Sequence, residues 1–442
     1  MADAVLHSRD AEGDARTINS GIDNEVHSGE IAIGVIIGRT SEFFDFFVYA
    51  IASVIVFPSL VFPFVDRLTG TLYSFAIFAL AFIARPLGTL LFMAIDRRHG
   101  RGIKLTIALF LLGTSTVAVA FLPGYREIGL GSAVLLALLR IGQGVALGGA
   151  WDGLASLLAL NVPPEKRGWY AMVPQLGAPL GLMVASILFA FFVGFLQPAD
   201  FLGWGWRYPF FVAFALNVVA LFARLRIVVT PEYANLFESR ELKPSPVLST
   251  AKVEWKTIWI GSFVPLASFA LFHMVTVFPL SWVNLFTQGG VARFLVIETV
   301  CAGFCVAAIV ASGLIADRVG RRSLLGISAA GIAIFSGFAP LLLDGGDRGE
   351  IIFMVVGFIL LGLAFGQSSG AVAANFASER RYTGAAFTSD LAWLFGAGFA
   401  PLFGLVLATQ FGLIAAGGYL LSGALGTLIA LGLNKNLAKK MS

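Results

Sequence analysis

The chain has 442 residues, of which 58% are hydrophobic and only 13% charged, and its mean hydropathy is +0.86. Soluble globular proteins carry about 25% charged residues, so this composition excludes an ordinary soluble enzyme. The high apolar content also excludes a disordered chain, and the long unbroken apolar runs exclude the alternating strands of a membrane β-barrel. An all-α membrane protein remains, in which the net charge of +4 reflects topology and not nucleic-acid binding.

Twelve apolar runs follow a polar N-terminal segment, and each is long enough to cross a bilayer, which takes roughly 20 apolar residues. The runs fall at about 32–60, 70–94, 103–122, 132–160, 170–196, 208–229, 257–284, 292–316, 323–343, 351–376, 384–409 and 412–433. This pattern predicts twelve transmembrane helices. Residues 1–30 lack the apolar stretch of a signal peptide, so we expect them to form a cytoplasmic tail.

Basic residues are unevenly distributed among the segments that connect the runs. If both termini are cytoplasmic, the inside segments hold 22 of the 30 Lys and Arg residues and the outside loops hold five. This asymmetry predicts an integral protein of the cytoplasmic membrane with both termini inside. A polar stretch divides the runs six and six. It predicts an N-terminal bundle at 31–229, a cytoplasmic linker at 230–256, a C-terminal bundle at 257–434 and a cytoplasmic tail at 435–442.

Short motifs carry a resemblance to a known family. Residues 88–101 and 313–322 share a pattern of glycine, aspartate and clustered basic residues, and they lie about half the chain apart. The segment 313–322 resembles the loop signature of the major facilitator superfamily, and 139–149 and 174–181 resemble its fourth-helix and fifth-helix motifs. Further segments resemble the metabolite:proton symporters that carry citrate, 2-oxoglutarate, shikimate, proline or betaine, namely 42–49, 84–88, 206–210 and 381–384. The resemblance implies two pseudo-symmetric six-helix bundles, the major facilitator fold.

The fourth helix departs from the family pattern. Family members usually have Glu in Gly-Gly-Glu-x-Gly-Gly, where this chain has Ala150 followed by Trp151 and Asp152. Asp152 either replaces the missing acid or pairs with basic loop residues such as Arg97 or Arg101. The change leaves the usual proton-coupling chemistry open.

Charged side chains inside a span are costly and therefore mark candidate functional sites. Glu42, Asp45 and Tyr49 share one face of the first helix. Asp45 is predicted to lie roughly 16 Å along its helix from the point at which the helix enters the bilayer. Arg140 is predicted to lie roughly 12 Å along its own helix. We expect Asp45 and Arg140 to form a central ion pair, which either couples proton movement to transport, with Glu42 assisting, or is a fixed structural pair.

Other polar side chains in the spans are candidate substrate contacts. Asp390 either pairs with Arg380 or Arg381 or lines the inner cavity, and Arg85 either bonds another helix or contacts an anion. Glu298 lies close to the outer end of its span, where it either reaches water or has a functional role. Neutral polar residues, among them Asn217, either bond a substrate or bond another helix. The predicted substrate contacts are Tyr49, Arg85, Gln143, Trp151, Gln175, His273, Gln367 and Asp390.

Two basic loops have a mechanical interpretation. A carboxylate at a helix end that faces arginines and a neighbouring helix N-terminus stabilises contact between the cytoplasmic ends of the bundle. Asp317 with Arg318 and Arg321, and Asp96 with Arg101, are the predicted gating residues. Breaking these contacts would shift the balance between outward-open and inward-open states.

The sequence contains no phosphate-binding loop for ATP, no Ser/His/Asp constellation and no metal-ligand cluster. We therefore expect a protein that is not an enzyme, needs no cofactor or metal and binds no nucleic acid. We also expect it to be a monomer. The leading hypothesis is a secondary transporter that moves a small organic acid or zwitterion with protons. The alternatives are an uncoupled uniporter or exporter of the same fold, and a membrane sensor that does not transport.

Overall fold

The computed structural model describes residues 28–150, 166–228, 243–373 and 376–434, and within them the chain is helical with no strand. Twelve long helices, α1 to α12, are Ser28–Ile55, Arg67–His99, Arg101–Ala120, Gly131–Gly149, Arg167–Phe195, Gly205–Leu225, Leu266–Phe286, Val291–Val319, Arg321–Leu343, Gly346–Ala373, Glu379–Phe411 and Leu413–Leu433. Shorter helices between them are Phe57–Val61, Tyr125–Ile128, Pro198–Gly203, Val247–Val253 and Trp255–Phe263.

The helices α2 to α12 are each long and apolar enough to cross a membrane. Helix α1 has 28 residues and is long enough, but Arg39, Glu42 and Asp45 interrupt its apolar sequence. Glu42 and Asp45 are buried, which places these charges inside the bundle and away from lipid.

The long helices alternate in direction, so their ends meet at two faces. At what we term the N-terminal face, where α1 begins, the end of α8 contacts the start of α5 through Asp317 and the Gly168 amide. At the opposite face, termed the distal face, Arg67 at the start of α2 donates to the Asn284 side-chain oxygen at the end of α7, 3.1 Å away. The Asn284 amide in turn donates to the Val54 carbonyl at the end of α1.

The predicted seventh span at 257–284 is two helices. Trp255–Phe263 ends before Pro265, and α7 begins immediately after it. Proline has no amide hydrogen and its ring displaces the preceding turn, so the helix does not run through this position. The end of the predicted fourth span and residues 230–242 of the predicted linker lie outside the described residues. The bundle boundaries therefore stay a prediction.

Glycines allow α2 and α4 to approach until their backbones touch. A Cβ atom on Gly144 would lie 2.3 Å from the Ala81 carbonyl oxygen, and one on Gly88 would lie 2.2 Å from the Val145 carbonyl oxygen. No side chain fits in either place. This contact brings Arg85 on α2 beside the end of α4.

Candidate functional site

A cavity of about 590 Å³, its mouth included, lies among α1, α2, α4 and α11. Charged side chains from α1 and α2 meet aromatic rings from α1, α2 and α11 in its wall. The lining residues are Arg39, Glu42, Phe43, Phe46, Ala81, Phe82, Arg85, Leu147, Ala150 and Trp393. An apolar pocket with a few converging polar groups is the usual form of a small-molecule site.

Glu42 lies between two guanidinium groups. Its Oε2 is 2.6 Å from Arg39 Nη1, and its Oε1 is 2.5 Å from Arg224 Nη2 on α6. Arg224 is almost fully buried and also donates to the Ala150 carbonyl oxygen. Two cationic partners stabilise the ionised form of Glu42, so this side chain anchors α1 to α6 at the cavity wall. Its predicted part in proton coupling stays a prediction.

Arg85 forms an ion pair across the two halves of the chain. Its Nε is 2.6 Å from Asp390 Oδ1 on α11, and the Thr89 hydroxyl donates to the other oxygen of Asp390. The Arg85 guanidinium lies 6.0 Å from the centre of the Trp393 ring. Of the two predicted roles of Arg85, helix-to-helix bonding is therefore observed in this conformation.

The predicted pairing of Asp390 with Arg380 or Arg381 is wrong. Arg380 lies ten residues earlier on α11, which is about 15 Å along the helix. It pairs instead with Glu254, at 3.3 Å. Asp390 lies deeper in the bundle, where Arg85 is the cation that reaches it. The sequence could not show this contact because it joins residues more than 300 positions apart.

The predicted ion pair between Asp45 and Arg140 is also wrong for this conformation. Asp45 accepts a hydrogen bond from the Asn217 amide on α6. Arg140 donates to the Phe78 carbonyl and to Gln143 Oε1, and its guanidinium lies 4.1 Å from the centre of the Tyr49 ring. Similar depth did not bring the two groups together, because aromatic rings surround the guanidinium. Within the described residues, neither group forms an ion pair with an oppositely charged side chain.

Most of the neutral side chains predicted to bind substrate lie outside the cavity. Gln143 bridges Arg140 and the Thr116 hydroxyl on α3. His273 is fully buried, and its ring stacks on Phe46 with the centroids 5.1 Å apart. Tyr49 underlies Arg140, and Gln175 is buried in the turn Val173–Leu176 of α5. Trp151 and Asp152 lie outside the described residues.

The Asp317 carboxylate joins the two halves at the N-terminal face. It accepts from the amides of Gly168 and Trp169, at 2.6 and 3.1 Å, where α5 begins. Gln367 donates to the Gly168 carbonyl and accepts from Arg321. Gln367 therefore belongs to this contact and does not line the cavity as predicted. Arg318 is exposed at the end of α8.

A second contact at the N-terminal face surrounds Asp96. Its Oδ2 lies 3.4 Å from Arg101 Nε and 3.5 Å from Lys104 Nζ, and it accepts from the Tyr382 hydroxyl on α11. Lys104 also donates to the Tyr382 oxygen. The sequence placed Asp96 and Arg101 together correctly. It gave no reason to choose Tyr382, because the contacts of this residue with Asp96 and Lys104 are made between the halves.

Sequence reasoning missed the aromatic wall of the cavity. Phe43 and Phe46 flank the acids of α1, and Trp393 follows Asp390 by one helical turn. The i, i+3 spacing of Asp390 and Trp393 was a usable signal for a shared face. In a chain with 41 phenylalanines, the Phe positions alone gave no such signal.

Comparison with known proteins shows which family the chain resembles. The profile of the family described as "Sugar (and other) transporter" matches residues 31–258. The inner membrane metabolite transport protein YhjE of Escherichia coli is 37% identical over 379 residues, which cover 84% of this chain and 86% of that protein. The shikimate transporter of Escherichia coli is 29% identical, and the match covers 84% of this chain and 85% of that protein. A partially occluded inward-open structure of the xylose transporter XylE from E. coli superposes with a TM-score of 0.65 and 17% identity. The superposition covers 92% of this chain and 98% of that chain.

Proposed function

This chain belongs to the sugar (and other) transporter family, and from that membership we propose that it carries a small organic acid or zwitterion together with protons across the cytoplasmic membrane. It is an integral membrane protein with the twelve-helix major facilitator fold. Transporters of this fold bind substrate between their two halves and expose the site alternately to each side.

The observation that carries the proposal is the position and bonding of Arg85 in the cavity wall. Within the described part of the chain its Nε donates to Asp390, and its remaining N–H groups have no acceptor, although the side chain is only 14% exposed. A substrate carboxylate would supply that acceptor. Guanidinium is the side-chain group that best matches a carboxylate, because it can donate two parallel bonds.

The rest of the cavity wall suits the body of a small acid. The Trp393, Phe43 and Phe82 rings would cover its apolar part. The shikimate transporter among the relatives is named for a substrate of this chemical class, a carboxylic acid. Arg85 is therefore the side chain that we assign to the substrate carboxylate.

Substrate binding would also act on the link between the halves. Asp390 on α11 forms an ion pair with Arg85 on α2 in this conformation. A substrate carboxylate that takes part of the Arg85 guanidinium weakens this link and changes the relative stability of the two states. A ligand drives a conformational change only through such a difference in interaction.

Asp45 is the group that we propose as the proton carrier. It is 2% exposed and, among the described residues, its bonded partner is the neutral Asn217 side chain. A buried carboxylate without a cation is least costly as the neutral acid. After proton loss, attraction to Arg140, which covers the Tyr49 ring one turn away, would favour a different arrangement of α1 and α4.

The N-terminal face is assigned to the cytoplasm because most basic residues of the described part of the chain lie there. In this orientation the Asp317 and Asp96 contacts hold the cytoplasmic side closed. The Arg67 contact with Asn284 holds the external side. Within the described residues, contacts between the halves are thus present at both faces of the bundle.

Thermal stability of the purified protein tests the substrate class. We expect shikimate and other small carboxylic acids to raise the melting temperature, while xylose, which carries no charge, leaves it unchanged. Arg85→Ala combined with Asp390→Asn keeps the charges balanced, and it should weaken acid binding about tenfold or more. Arg126→Ala, at an exposed position of the distal face, is the matched control. Stabilisation by xylose and by no acid would contradict the proposal.

A further inference from the structure

Glu298 is a fully buried carboxylate that the proposed transport cycle does not use. It lies seven residues after the start of α8. At the rise of a helix this places it about 10 Å from the distal face. Its side chain is nevertheless 0% exposed, because the neighbouring helices cover it. The expectation that its position near the helix end would bring it to water is therefore wrong in this conformation.

The hydrogen bonding of Glu298 is incomplete. Its Oε2 accepts from the Ser186 hydroxyl on α5, 2.9 Å away, and its Oε1 has no partner within the described ranges. Helix α5 belongs to the first half of the chain and α8 to the second. Glu298 therefore lies in the distal part of the seam between the halves, which must separate when the distal face opens.

No described cation pairs with Glu298. Helix α8 packs against α5, α7, α9 and α10, and the charged groups of α5 and α9 lie at the N-terminal face. At the distal face, Arg293 on α8 pairs with Asp347 and Glu350 on α10. The other ionisable groups on these five helices are Arg167, Tyr170, His273, Arg293, Cys301, Cys305, Asp317, Arg318, Arg321, Arg322, Asp347, Arg348 and Glu350.

An ionised carboxylate in this dry seam would be strongly disfavoured, because it has no countercharge and only one hydrogen bond. The neutral acid can be buried there at much lower cost. When the distal face opens, water reaches the group and makes the ionised form acceptable. We propose that Glu298 is a proton site whose protonation closes the distal seam between α5 and α8.

The step is a simple acid–base exchange. On opening, the O–H bond of the acid breaks, the proton passes to water at the distal face and one negative charge stays on Glu298. On closing, the carboxylate takes a proton back from that water. If one proton leaves with each opening, the ratio of open to closed molecules rises up to about tenfold per pH unit.

Cys305 supplies a reporter for this opening. It lies two helical turns after Glu298 on the same face of α8. The side chain is 2% exposed, and it lines a small apolar pocket with Ala178 and Leu182 of α5. Because the chain has only two cysteines, Cys301→Ser leaves Cys305 as the sole thiol. Its reaction with a water-soluble maleimide then requires the seam to open.

The experiment compares the labelling rate of Cys305 in nanodiscs from about pH 5 to about pH 9, with and without Glu298→Gln. Both proteins carry the same thiol, so the ratio of their rates removes the pH dependence of the maleimide reaction and any opening at the other face. We expect the labelling rate of the protein with Glu298, divided by that of the Glu298→Gln variant, to be near one at the acidic end. This ratio should rise several-fold or more toward the alkaline end. A ratio that stays constant would overturn the proposal.

Ser186→Ala distinguishes the effect of the Glu298 proton from the effect of the hydrogen bond between Ser186 and Glu298. Loss of the hydroxyl should raise the labelling rate of Cys305 at every pH. The increase of this rate with pH should stay the same, because Glu298 still exchanges its proton. If Glu298→Gln fails to fold, the labelling rate of Cys305 in the folded protein is divided by its rate in the denatured chain at each pH. A ratio that does not rise with pH again overturns the proposal.

The proposal is independent of proton-coupled uptake in this test, because labelling needs no substrate and no flux. A constant labelling ratio together with proton-driven uptake removes the Glu298 site alone. A rising ratio together with uptake that ignores protons keeps the site and removes the proposed symport.

Discussion

Asp317→Asn should change the equilibrium between transport states while leaving substrate affinity nearly intact. The carboxylate accepts from the Gly168 and Trp169 amides across the seam, at 2.6 and 3.1 Å. Asparagine keeps one neutral acceptor, and its amide group would face a second N–H donor. Replacing hydrogen bonds to a charged acceptor in this way costs about 2 kcal/mol in the state with the N-terminal face closed.

A loss of about 2 kcal/mol in one state shifts the ratio of the two states roughly thirtyfold. The cavity around Arg85 and Glu42 does not contact Asp317, so binding is affected only through this shift. In proteoliposomes, the maximal uptake rate should fall more than the apparent affinity. Spin-label distances across the N-terminal face should show a larger open population.

Asp344→Asn is the matched control, because Asp344 is an exposed carboxylate at the end of α9 on the opposite face. It should leave both rate and distances unchanged. A normal maximal rate with a weakened affinity for Asp317→Asn would refute the gating interpretation.

Three further substitutions follow from close contacts in the bundle. Gly168→Ala should favour the state open at the N-terminal face, because a Cβ there would lie 2.6 Å from the Asp317 carboxylate; spin-label distances would show this, and an unchanged distribution would count against it. Gly144→Ala should lower stability by about 1–3 kcal/mol, since its Cβ would lie 2.3 Å from the Ala81 carbonyl oxygen; an unchanged melting temperature would contradict this. Glu42→Gln should destabilise the fold by about 3–5 kcal/mol, because it takes the Glu42 carboxylate away from the buried Arg224 guanidinium; thermal unfolding measures the effect.

The fold was largely predictable because the membrane restricts what a chain can do. A run of about 20 apolar residues has essentially one stable form, so helix number followed from composition and spacing. The break at Pro265 escaped prediction because the apolar run continues across it. Nothing in the apolar content of residues 257–284 distinguishes one helix from two.

The site was predictable only in part. The sequence identified Glu42 and Arg85, because charge inside a span is costly and therefore conspicuous. It could not identify partners, since depth along a helix fixes the level of a side chain but not the direction it points. Asp45 thus bonds Asn217 and Arg140 covers Tyr49, although the two charges were predicted to meet.

Proton movement during substrate uptake tests the central proposal most directly. Proteoliposomes that contain a pH-sensitive dye are given the carboxylic acid that stabilises the protein most, with no initial pH gradient. We predict that the interior acidifies as substrate enters, beyond the signal of protein-free liposomes, and that Asp45→Asn abolishes this acidification while it spares counterflow exchange. Asp66→Asn, at the exposed start of α2, serves as the control and should behave like the unchanged protein. Substrate uptake with no proton signal, or full acidification by Asp45→Asn, would contradict the proposed symport through Asp45.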